Sequence, residues 1–369
     1  MSDLPRAVAR IFGVGFDGPR VPDGFLPLLE RGVGTVILFR RNVESARQVQ
    51  ALCAELKRRA KGSKLLTCMD QEGGRVKRLG GGTFTDVPSA RAIGKANDMN
   101  LARKIGELVA RELRAVNCDW DLAPVIDVDT NPKNPVIADR SLSGDPRIVA
   151  DLGAAIVEGL QTSGVAACGK HFPGHGDTWQ DSHFVLPTLE HGMDRLMQIE
   201  LKPFESAIRA GVATIMTSHI LFKTIDPELP ATMSRPILQG ILRQNLGFDG
   251  LIVSDDLEMK AIADNYGIEQ VLIRGANAGI DLFFLCHNLA LQHEAIDLLI
   301  RAVERGQVPR ERIEDANRRI DAVVNKYHRP PIENHAALDV IGCEDHQALV
   351  RQIAERASAM ADPTEAWRK

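Results

Sequence analysis

Residues 170–183 read KHFPGHGDTWQDSH and concentrate side chains that can exchange protons or bind polar ligands. Three histidines, two aspartates and a lysine lie within fourteen positions, among two glycines and a proline. Because the preceding run VAAC is apolar, the sequence predicts a short buried strand that ends near Lys170 and opens into a loop. Ionisable groups on a loop that a rigid scaffold holds suggest a functional site.

Asp181 and His183 form the pair in this segment with the clearest chemistry. In an extended chain, side chains two positions apart project to the same side. The carboxylate can then bind one imidazole nitrogen and fix the tautomer, while the other nitrogen exchanges a proton with a substrate. The sequence therefore predicts an acid/base dyad here, with an Asx-turn at Asp181 as the structural alternative.

The elements that position this segment alternate between strands and helices. Eight strands are predicted, at Ile11–Phe16, Thr35–Phe39, Lys64–Met69, Trp120–Val128, Val165–Gly169, Ala213–His219, Leu251–Ser254 and Ile280–Cys286. Helices are predicted at Ser45–Ala60, Leu101–Val116, Pro146–Thr162, Met193–Ala210, Arg235–Leu246 and His293–Arg305. Eight alternating units indicate an α/β fold, a single (β/α)₈ barrel of the TIM type rather than a doubly wound sheet.

Polar residues follow five of the eight predicted strands, and in such a barrel those positions share one mouth. After the strand that ends at Met69 come Asp70, Gln71, Glu72, Arg75 and Arg78, and the next strand leads to Asp127, Asp129, Asn131, Asp139 and Arg140. At the ends of the fifth, sixth and seventh predicted strands lie Lys170, His171, Ser218, His219, Ser254, Asp255 and Asp256. Packing alone does not explain so many polar strand ends at one mouth, so we expect the site there.

Asp255 and Asp256 end one apolar strand and are expected to differ in role. A carboxylate at the position of Asp255 can serve as a nucleophile, a base or a ligand. Asp256 should point away, toward the wall or the following helix, because neighbouring side chains alternate in a strand.

Each polar element also has a structural interpretation. Asp70 can cap a helix, and the loop DVDTNPKNP at 127–135 lacks the glycine and glutamate of an EF-hand, which favours Asx-turn scaffolding over a metal site. His171, His175 and His183 could be zinc ligands, but they match neither HExxH nor a cysteine-containing pattern. His219 is as consistent with a satisfied interior histidine as with a ligand contact.

Composition narrows the class of protein. The 369 residues, 44% of them hydrophobic, are enough for one large barrel with a sizeable core. A net charge of −4, spread along the chain, offers no polycationic surface for nucleic acid, and no apolar run approaches the roughly 20 residues of a membrane span. Six scattered cysteines without a CxxC pair, and no secretion signal at the N-terminus, predict a cytoplasmic protein.

The barrel is expected to occupy residues 1–330. The pattern breaks at Arg329-Pro330-Pro331, and residues 331–369 are expected to be a partly helical extension rather than an independent domain. A helix from Glu344 to Met360 is predicted there.

Four motifs resemble one known family. KHFPGHGDTWQDSH, with MDQEGGRVKRL upstream, APVIDVDTNPKNPVIADRSLS between them and VSDDLEM downstream, is similar to the single-domain β-N-acetylglucosaminidases of glycoside hydrolase family 3. The resemblance covers most of residues 7–330 in the right order, and KHFPGHG followed by DSH has few chance competitors.

The resemblance implies a retaining exo-β-N-acetylglucosaminidase that works through a covalent glycosyl-enzyme, with no cofactor and no metal. Asp255 would be the nucleophile, His183 the general acid/base and Asp181 its orienting partner. The residues that would hold the sugar are Asp70, Arg78, Arg140, Lys170 and His171. The family's usual substrates are muropeptides such as N-acetylglucosaminyl-1,6-anhydro-N-acetylmuramic acid and its peptides, which are recycled from the cell wall in the bacterial cytosol.

Three alternatives stay open on the sequence. A β-glucosidase of the same family would share the nucleophile, although such enzymes usually take the acid/base from a second domain. A metal-dependent barrel hydrolase would use His171, His175 and Asp255. A catalytically silent sugar-binding protein would not need the dyad or Asp255. Whether phosphate can replace water as the acceptor and which oligomer forms are also open.

Overall fold

Eight parallel strands form a closed barrel in the computed structural model, which describes residues 3–60, 63–179 and 186–367. The strands are β1 (Phe12–Val14), β2 (Thr35–Leu38), β3 (Leu66–Met69), β4 (Trp120–Asp121), β5 (Cys168–Phe172), β6 (Thr214–Thr217), β7 (Leu251–Asp256) and β8 (Leu282–Leu285). Each strand except β4 pairs with the next in chain order, and β8 pairs with β1. Two parallel bridges, Trp120 with Ala166 and Val125 with Lys170, close the ring between β4 and β5.

Helices surround the barrel. They are α1 (Leu4–Ala9), α2 (Leu26–Arg31), α3 (Ala46–Arg59), α4 (Ala90–Ala96), α5 (Met99–Ala115), α6 (Pro146–Thr162), α7 (Met193–Gln198), α8 (Leu201–Arg209), α9 (Lys260–Ala263), α10 (Ile268–Ala278), α11 (Leu289–Glu304), α12 (Arg310–Tyr327), α13 (Glu344–Ala359) and α14 (Pro363–Trp367). A π-helix spans Pro236–Asn245, and 3₁₀ turns span Asp23–Phe25, Arg40–Asn42, Ala138–Arg140, Ala231–Met233 and His335–Val340. The α/β barrel predicted from the alternation is thus confirmed.

The barrel interior is packed rather than open. The ring centroids of Trp120 on β4 and Phe284 on β8 lie 5.9 Å apart across the interior. The Trp120 indole Nε1 donates to Thr214 Oγ1 at 3.1 Å, which satisfies its buried N–H. This filled floor leaves the carboxyl ends of the strands as the place for a ligand.

Close helix packing outside the barrel depends on small residues. A Cβ added at Gly159 of α6 would lie 2.0 Å from the carbonyl oxygen of Arg103 on α5, and one at Gly106 would lie 2.4 Å from the carbonyl oxygen of Ile156. The backbones of the two helices therefore touch, and a larger residue at either glycine would push them apart.

Several predicted boundaries were wrong by a few residues, each for a local reason. The strand predicted at 120–128 pairs regularly only at β4, because Pro124 has no N–H to give to a ladder. The β5 ladder runs on to Phe172, so that Lys170 and His171 lie on the strand rather than after it. The helix predicted at 193–210 divides into α7 and α8 where the Glu200 side chain turns inward and is buried.

The C-terminal extension packs on the outside of the barrel. Its helix α13 contacts α4 and α5, and His346 Nδ1 lies 3.0 Å from the buried carboxylate of Glu112 on α5. Further along, the Thr364 hydroxyl accepts a hydrogen bond from the backbone N–H of Gly144 at 3.0 Å. The division of the chain at residue 330 stays a prediction. Within the described ranges, no helix has the length and apolarity needed to cross a membrane.

Candidate active site

A cavity of about 550 Å³ lies at the carboxyl ends of the barrel strands. Six residues proposed from the sequence line it: Asp70, Arg78, Arg140, Lys170, His171 and Asp255. They come from β3, β4, β5 and β7 or from the loops that follow them. The expectation that the polar strand ends meet at one mouth therefore agrees with the geometry.

A cluster of two acids and three cations forms one side of this cavity. The Lys170 ammonium lies 2.7 Å from Asp70 Oδ1 and 2.7 Å from Glu72 Oε1. Arg78 Nη2 donates to Asp70 Oδ2 at 2.8 Å. Arg140 donates from Nε and Nη2 to the two oxygens of Glu72, both at 2.8 Å. Shared partners hold all five side chains in fixed orientations, with the cations directed at the cavity.

The cluster stays fully charged near neutral pH. Burial by itself would raise the pKa of Asp70 and Glu72. For Asp70, Lys170 and Arg78 outweigh burial and hold the pKa well below its ordinary value. For Glu72, Arg140 and Lys170 do the same and lower the pKa to about 2. Burial opposes the charge on Lys170, but the two carboxylates raise its pKa in turn.

Gln71 fixes the loop that carries Arg78. The segment Gln71–Gly73 pairs with Val76–Lys77 in a small antiparallel hairpin. The Gln71 side-chain oxygen accepts from the backbone N–H groups of Arg78 at 2.9 Å and Leu79 at 3.0 Å. These hydrogen bonds fix the backbone at Arg78 and so help to orient its guanidinium toward Asp70.

His171 is held by a carboxylate of its own. Its Nδ1 lies 2.8 Å from Asp127 Oδ2, and Asp127 also accepts from the backbone N–H groups of His171 and His175. Burial would raise the pKa of Asp127, but the neighbouring His171 imidazole and these hydrogen bonds lower it. With Nδ1 engaged by the carboxylate, the Nε2 side of the ring is left for the cavity.

His175, whose ring lies 5.7 Å from that of His171, is buried beside it. Burial, followed by the proximity of His171, lowers the pKa of His175 to about 4. Its Nδ1 lies 2.8 Å from the Thr178 hydroxyl. His175 is therefore neutral near neutral pH, where the charged cluster is also intact.

Asp255 lies at the end of β7 and faces the cavity. Its Oδ1 accepts the backbone N–H of Asp256 at 2.8 Å, and it has no ion pair with any residue that the structure describes. Burial would raise the pKa of Asp255, but the imidazoles of His171 and His219 and the Asp256 N–H together lower it. An ionised carboxylate without a cation partner is suited to act on a ligand.

Asp256 has a different environment, as expected from the strand alternation. Its Oδ1 accepts from the backbone N–H groups of Glu258 at 3.1 Å and Cys286 at 3.3 Å, and its Oδ2 lies 3.2 Å from His287 Nε2. The Asp256 side chain thus ties the end of β7 to the end of β8, although it also borders the cavity.

The loop after β4 acts as scaffolding, as the sequence favoured. Asn134 Oδ1 accepts from two backbone N–H groups of its own loop, and its side-chain amide donates to the carbonyl oxygen of His175 at 2.8 Å. Asn131 donates to the carbonyl oxygen of Asp177 at 3.2 Å, and Thr130 to the Asp177 carboxylate at 2.9 Å. This loop therefore supports the segment that follows β5.

Asp181 and His183 lie outside the described residues, so the predicted dyad stays a prediction. The structure describes the chain up to Trp179, which is 66% exposed, and again from residue 186 onward. The Asp177 carboxylate before this segment lies 2.9 Å from the His191 imidazole after it.

Glu72 and Asp127 are the main residues that the sequence-based selection of the site omitted. Both were noticed as acids near strand ends, but nothing in the linear order showed that Glu72 would pair with Arg140 and Lys170, or Asp127 with His171. The signal that could have identified them is an acid after one strand together with a basic residue at the end of another strand, since both ends meet at the mouth of the barrel. Among the described residues, no group of three or more His, Cys, Asp and Glu side chains could hold a metal ion.

Comparisons with known proteins agree with this geometry. Residues 27–323 match the model of the glycosyl hydrolase family 3 N terminal domain. A β-hexosaminidase of Thiobacillus denitrificans is 40% identical over 270 residues, which cover 72% of this chain and 74% of that protein.

Two solved structures have the same fold as this chain. A family 3 β-N-acetylglucosaminidase from Paenibacillus superposes with a TM-score of 0.90 at 39% identity, over 97% of this chain and 69% of that one. NagZ from Neisseria gonorrhoeae, solved with N-trifluoroacetyl-D-glucosamine, gives a TM-score of 0.77 at 31% identity, over 94% of this chain and 98% of that one.

The chain therefore belongs to glycoside hydrolase family 3 and is a glycoside hydrolase. Within that family, its similarity to named β-hexosaminidases supports β-hexosaminidase activity.

Proposed function

We propose that the chain is a retaining exo-β-N-acetylglucosaminidase that removes terminal N-acetylglucosamine from muropeptides in the cytoplasm, as a step of peptidoglycan recycling. The observation that carries the proposal is the ionised carboxylate of Asp255, which faces the cavity without an ion pair among the described residues, beside the charged cluster around Lys170. A retaining glycosidase needs such a nucleophile close to fixed polar groups.

In the proposed first step, an Asp255 oxygen attacks the anomeric carbon of the sugar while the bond to the leaving oxygen breaks. His183, oriented by Asp181, would give its proton to that oxygen. In the second step a water molecule attacks the glycosyl-enzyme, His183 takes the proton of the water, and Asp255 leaves as a carboxylate. The lowered pKa of Asp255 favours this chemistry, since the residue starts each cycle ionised.

The charged cluster would bind the sugar. Asp70, with Arg78 and Lys170 on its two oxygens, offers one acceptor flanked by two donors, an arrangement suited to neighbouring hydroxyls. Arg140 and His171 are the proposed contacts for the remaining polar groups, the N-acetyl group included. Because their partners already orient them, little conformational entropy is lost when the sugar binds.

The choice of N-acetylglucosamine and of a muropeptide rests on similarity. The Paenibacillus structure is described as a β-N-acetylglucosaminidase, and the Neisseria gonorrhoeae structure holds an N-acylated glucosamine. This chain also covers 98% of the length of that NagZ structure. These likenesses support a small N-acetylated substrate over a plain glucoside.

The decisive experiment compares hydrolysis of 4-nitrophenyl β-N-acetylglucosaminide and the matching β-glucoside by the wild type, with EDTA present. Cleavage of the N-acetylated substrate alone supports the proposal. Preference for the glucoside would favour a β-glucosidase, and loss of activity with EDTA would favour a metal-dependent hydrolase. Release of N-acetylglucosamine from a disaccharide muropeptide, but not from an internal position of a longer glycan, then tests the exo action on the proposed substrate.

A further inference from the structure

His219, two residues after β6, contacts Thr232 on one side of its ring and the chain just after Asp255 on the other. The residue is buried, with 1% of its surface exposed. Its Nδ1 lies 2.8 Å from the hydroxyl of Thr232, and its Nε2 lies 3.1 Å from the backbone carbonyl oxygen of Asp256. Sequence reasoning left His219 undecided between an interior histidine and a ligand contact, and these partners give it a third role.

The second contact has a fixed direction. A carbonyl oxygen can only accept a hydrogen bond, so Nε2 of His219 carries a hydrogen and donates it to Asp256. The Thr232 hydroxyl on the other side of the ring, itself 3.0 Å from the hydroxyl of Thr217, holds the ring in the orientation that this donation requires.

The donated hydrogen bond reaches β7 beyond the last residue that pairs with β6. β7 pairs with β6 only over Leu251–Val253, and its pairing with β8 shifts between Val253 and Asp256. On the β6 side, Asp255 and Asp256 therefore extend beyond the regular ladder, while on the β8 side Asp256 pairs with Phe284 after the shift. The His219 ring replaces the missing contact from the β6 side.

The contacts of Asp256 together fix the position of its neighbour Asp255. The N–H of Asp256 donates to Asp255 Oδ1, its side chain accepts from the N–H of Cys286 just after β8, and its carbonyl oxygen accepts from His219. A nucleophile must be held to about 0.5 Å of its productive position, and a displacement of about 1 Å can cost roughly 100-fold in rate.

We infer that His219 is a positioning residue for the reaction: its Nε2–H fixes the backbone after Asp255 and thereby aims the Asp255 carboxylate at the sugar. The inference rests on the proposed function. It gives His219 no contact with the substrate and no part in proton transfer.

Two substitutions of His219 separate this role from simple packing. In H219Q, the side-chain amide nitrogen can take the place of Nε2 and still donate to Asp256. In H219N, the shorter amide reaches only the place of Nδ1, near Thr232, and the Asp256 carbonyl oxygen loses its donor. We expect kcat to fall roughly 100-fold in H219N and less than about tenfold in H219Q, with KM within about threefold of wild type in both.

The leaving group provides the second readout. A misplaced nucleophile slows attack on every substrate, so H219N should lose kcat equally on aryl N-acetylglucosaminides with good and poor leaving groups. H183A, in contrast, should lose less on the good leaving group, because protonation matters less there. Covalent labelling of Asp255 by a fluorinated glycosyl donor, followed by intact mass, should slow in H219N in parallel with kcat.

His346 supplies a matched control, because it is a buried histidine that contacts Glu112 far from the cavity. H346N and H346Q should change the thermal midpoint and leave kcat unaltered. Equal losses of kcat in H219N and H219Q would overturn the inference, as would an H219N variant that changes only KM or only stability. A wild type that cleaves no N-acetylglucosaminide would overturn the proposed function and with it this role of His219.

Discussion

Asp255 and Asp281 are two aspartates at opposite ends of the same barrel, and their surroundings differ sharply. Asp281 lies just before β8 and is fully buried, with 0% of its surface exposed. Arg243 Nη2 lies 2.7 Å from its Oδ2, Arg312 contacts its Oδ1, and the backbone N–H of Ile252 donates to it at 2.9 Å. Asp255 has a backbone N–H and, among the described residues, no cation partner.

The comparison teaches that charge and burial do not by themselves identify a catalytic group. Around Asp281, the arginines also bind backbone carbonyl oxygens, as Arg243 does with Phe248 and Gly250, so every charge is used to join the π-helix and α12 to the barrel. At the mouth of the barrel, the carboxylate of Asp255 has no cation partner among the described residues, and it borders the cavity together with the charged cluster. We expect substitutions around Asp281 to lower stability and substitutions around Asp255 to lower activity.

The largest expected effect is on catalysis, from D255N. The amide keeps the shape of the side chain but cannot form a stable glycosyl ester, so kcat should fall ~10⁴-fold or more. The thermal midpoint should fall modestly at most, because the lowered pKa of Asp255 means that the fold favours its ionised form, but no ion pair is broken. Steady-state kinetics with 4-nitrophenyl β-N-acetylglucosaminide and a melting curve measure both quantities. A variant with wild-type kcat would show that Asp255 is not the nucleophile.

The same chemical change at the other end of the barrel, D281N, should have the opposite profile. Losing one partner of a buried ion cluster typically costs about 3–5 kcal/mol. D281N removes the carboxylate that pairs with Arg243 and leaves Arg312 with Asp315. Urea unfolding measures the loss of stability. Below the unfolding transition, kcat should equal that of the wild type, and a fall of more than about tenfold would mean that the two ends are coupled.

The sequence was enough to predict the barrel and the location of the site. Eight apolar runs alternating with helices carry that information, and the strand-end position of Asp255 follows from it. Even α6 was predicted with the bounds that the structure has, because Asp145 caps it and Pro146 begins it.

The pairing of the side chains was beyond sequence reasoning, because it depends on distances between residues far apart in the chain. Glu72 and Arg140 are 68 positions apart, and His219 and Asp256 are 37 apart. The register shift between Val253 and Asp256 is a property of two neighbouring strands, so neither strand alone reveals it.

The mouth should also respond to acid through His175, which is held neutral. Burial lowers its pKa from about 6.5 to about 4, so the unfolded chain takes up a proton at a higher pH than the folded one. His175 therefore contributes stability that is complete above pH 6.5 and is lost as the pH falls toward 4, by about 3 kcal/mol at most. Urea unfolding at several pH values should show a shallower decline in H175N. Identical slopes in the two proteins would contradict the neutral state of His175.

The smallest effect concerns E72Q, which tests whether ion pairs at the mouth orient cations for a ligand. Glu72 binds Arg140 through both oxygens and also accepts from Lys170. The amide can accept through one oxygen only, and its nitrogen would face a guanidinium donor, so Arg140 should lose its fixed orientation. We expect kcat/KM to fall about 10- to 100-fold, roughly 1.4–2.8 kcal/mol of transition-state binding, mainly through a higher KM.

The stability of E72Q then shows whether the ion cluster at the mouth mainly supports the fold, as the one around Asp281 does, or orients cations for the sugar. Glu72 pairs with two cations, and Lys170 keeps Asp70 after the change, whereas Asp281 pairs with three arginines, so E72Q should lose less stability than D281N. D86N, which removes an exposed partner of Lys77, is the matched control and should change neither quantity by more than about 0.5 kcal/mol. If E72Q loses as much stability as D281N while KM stays the same, Glu72 supports the fold, and the cluster at the mouth does not orient its cations for the sugar.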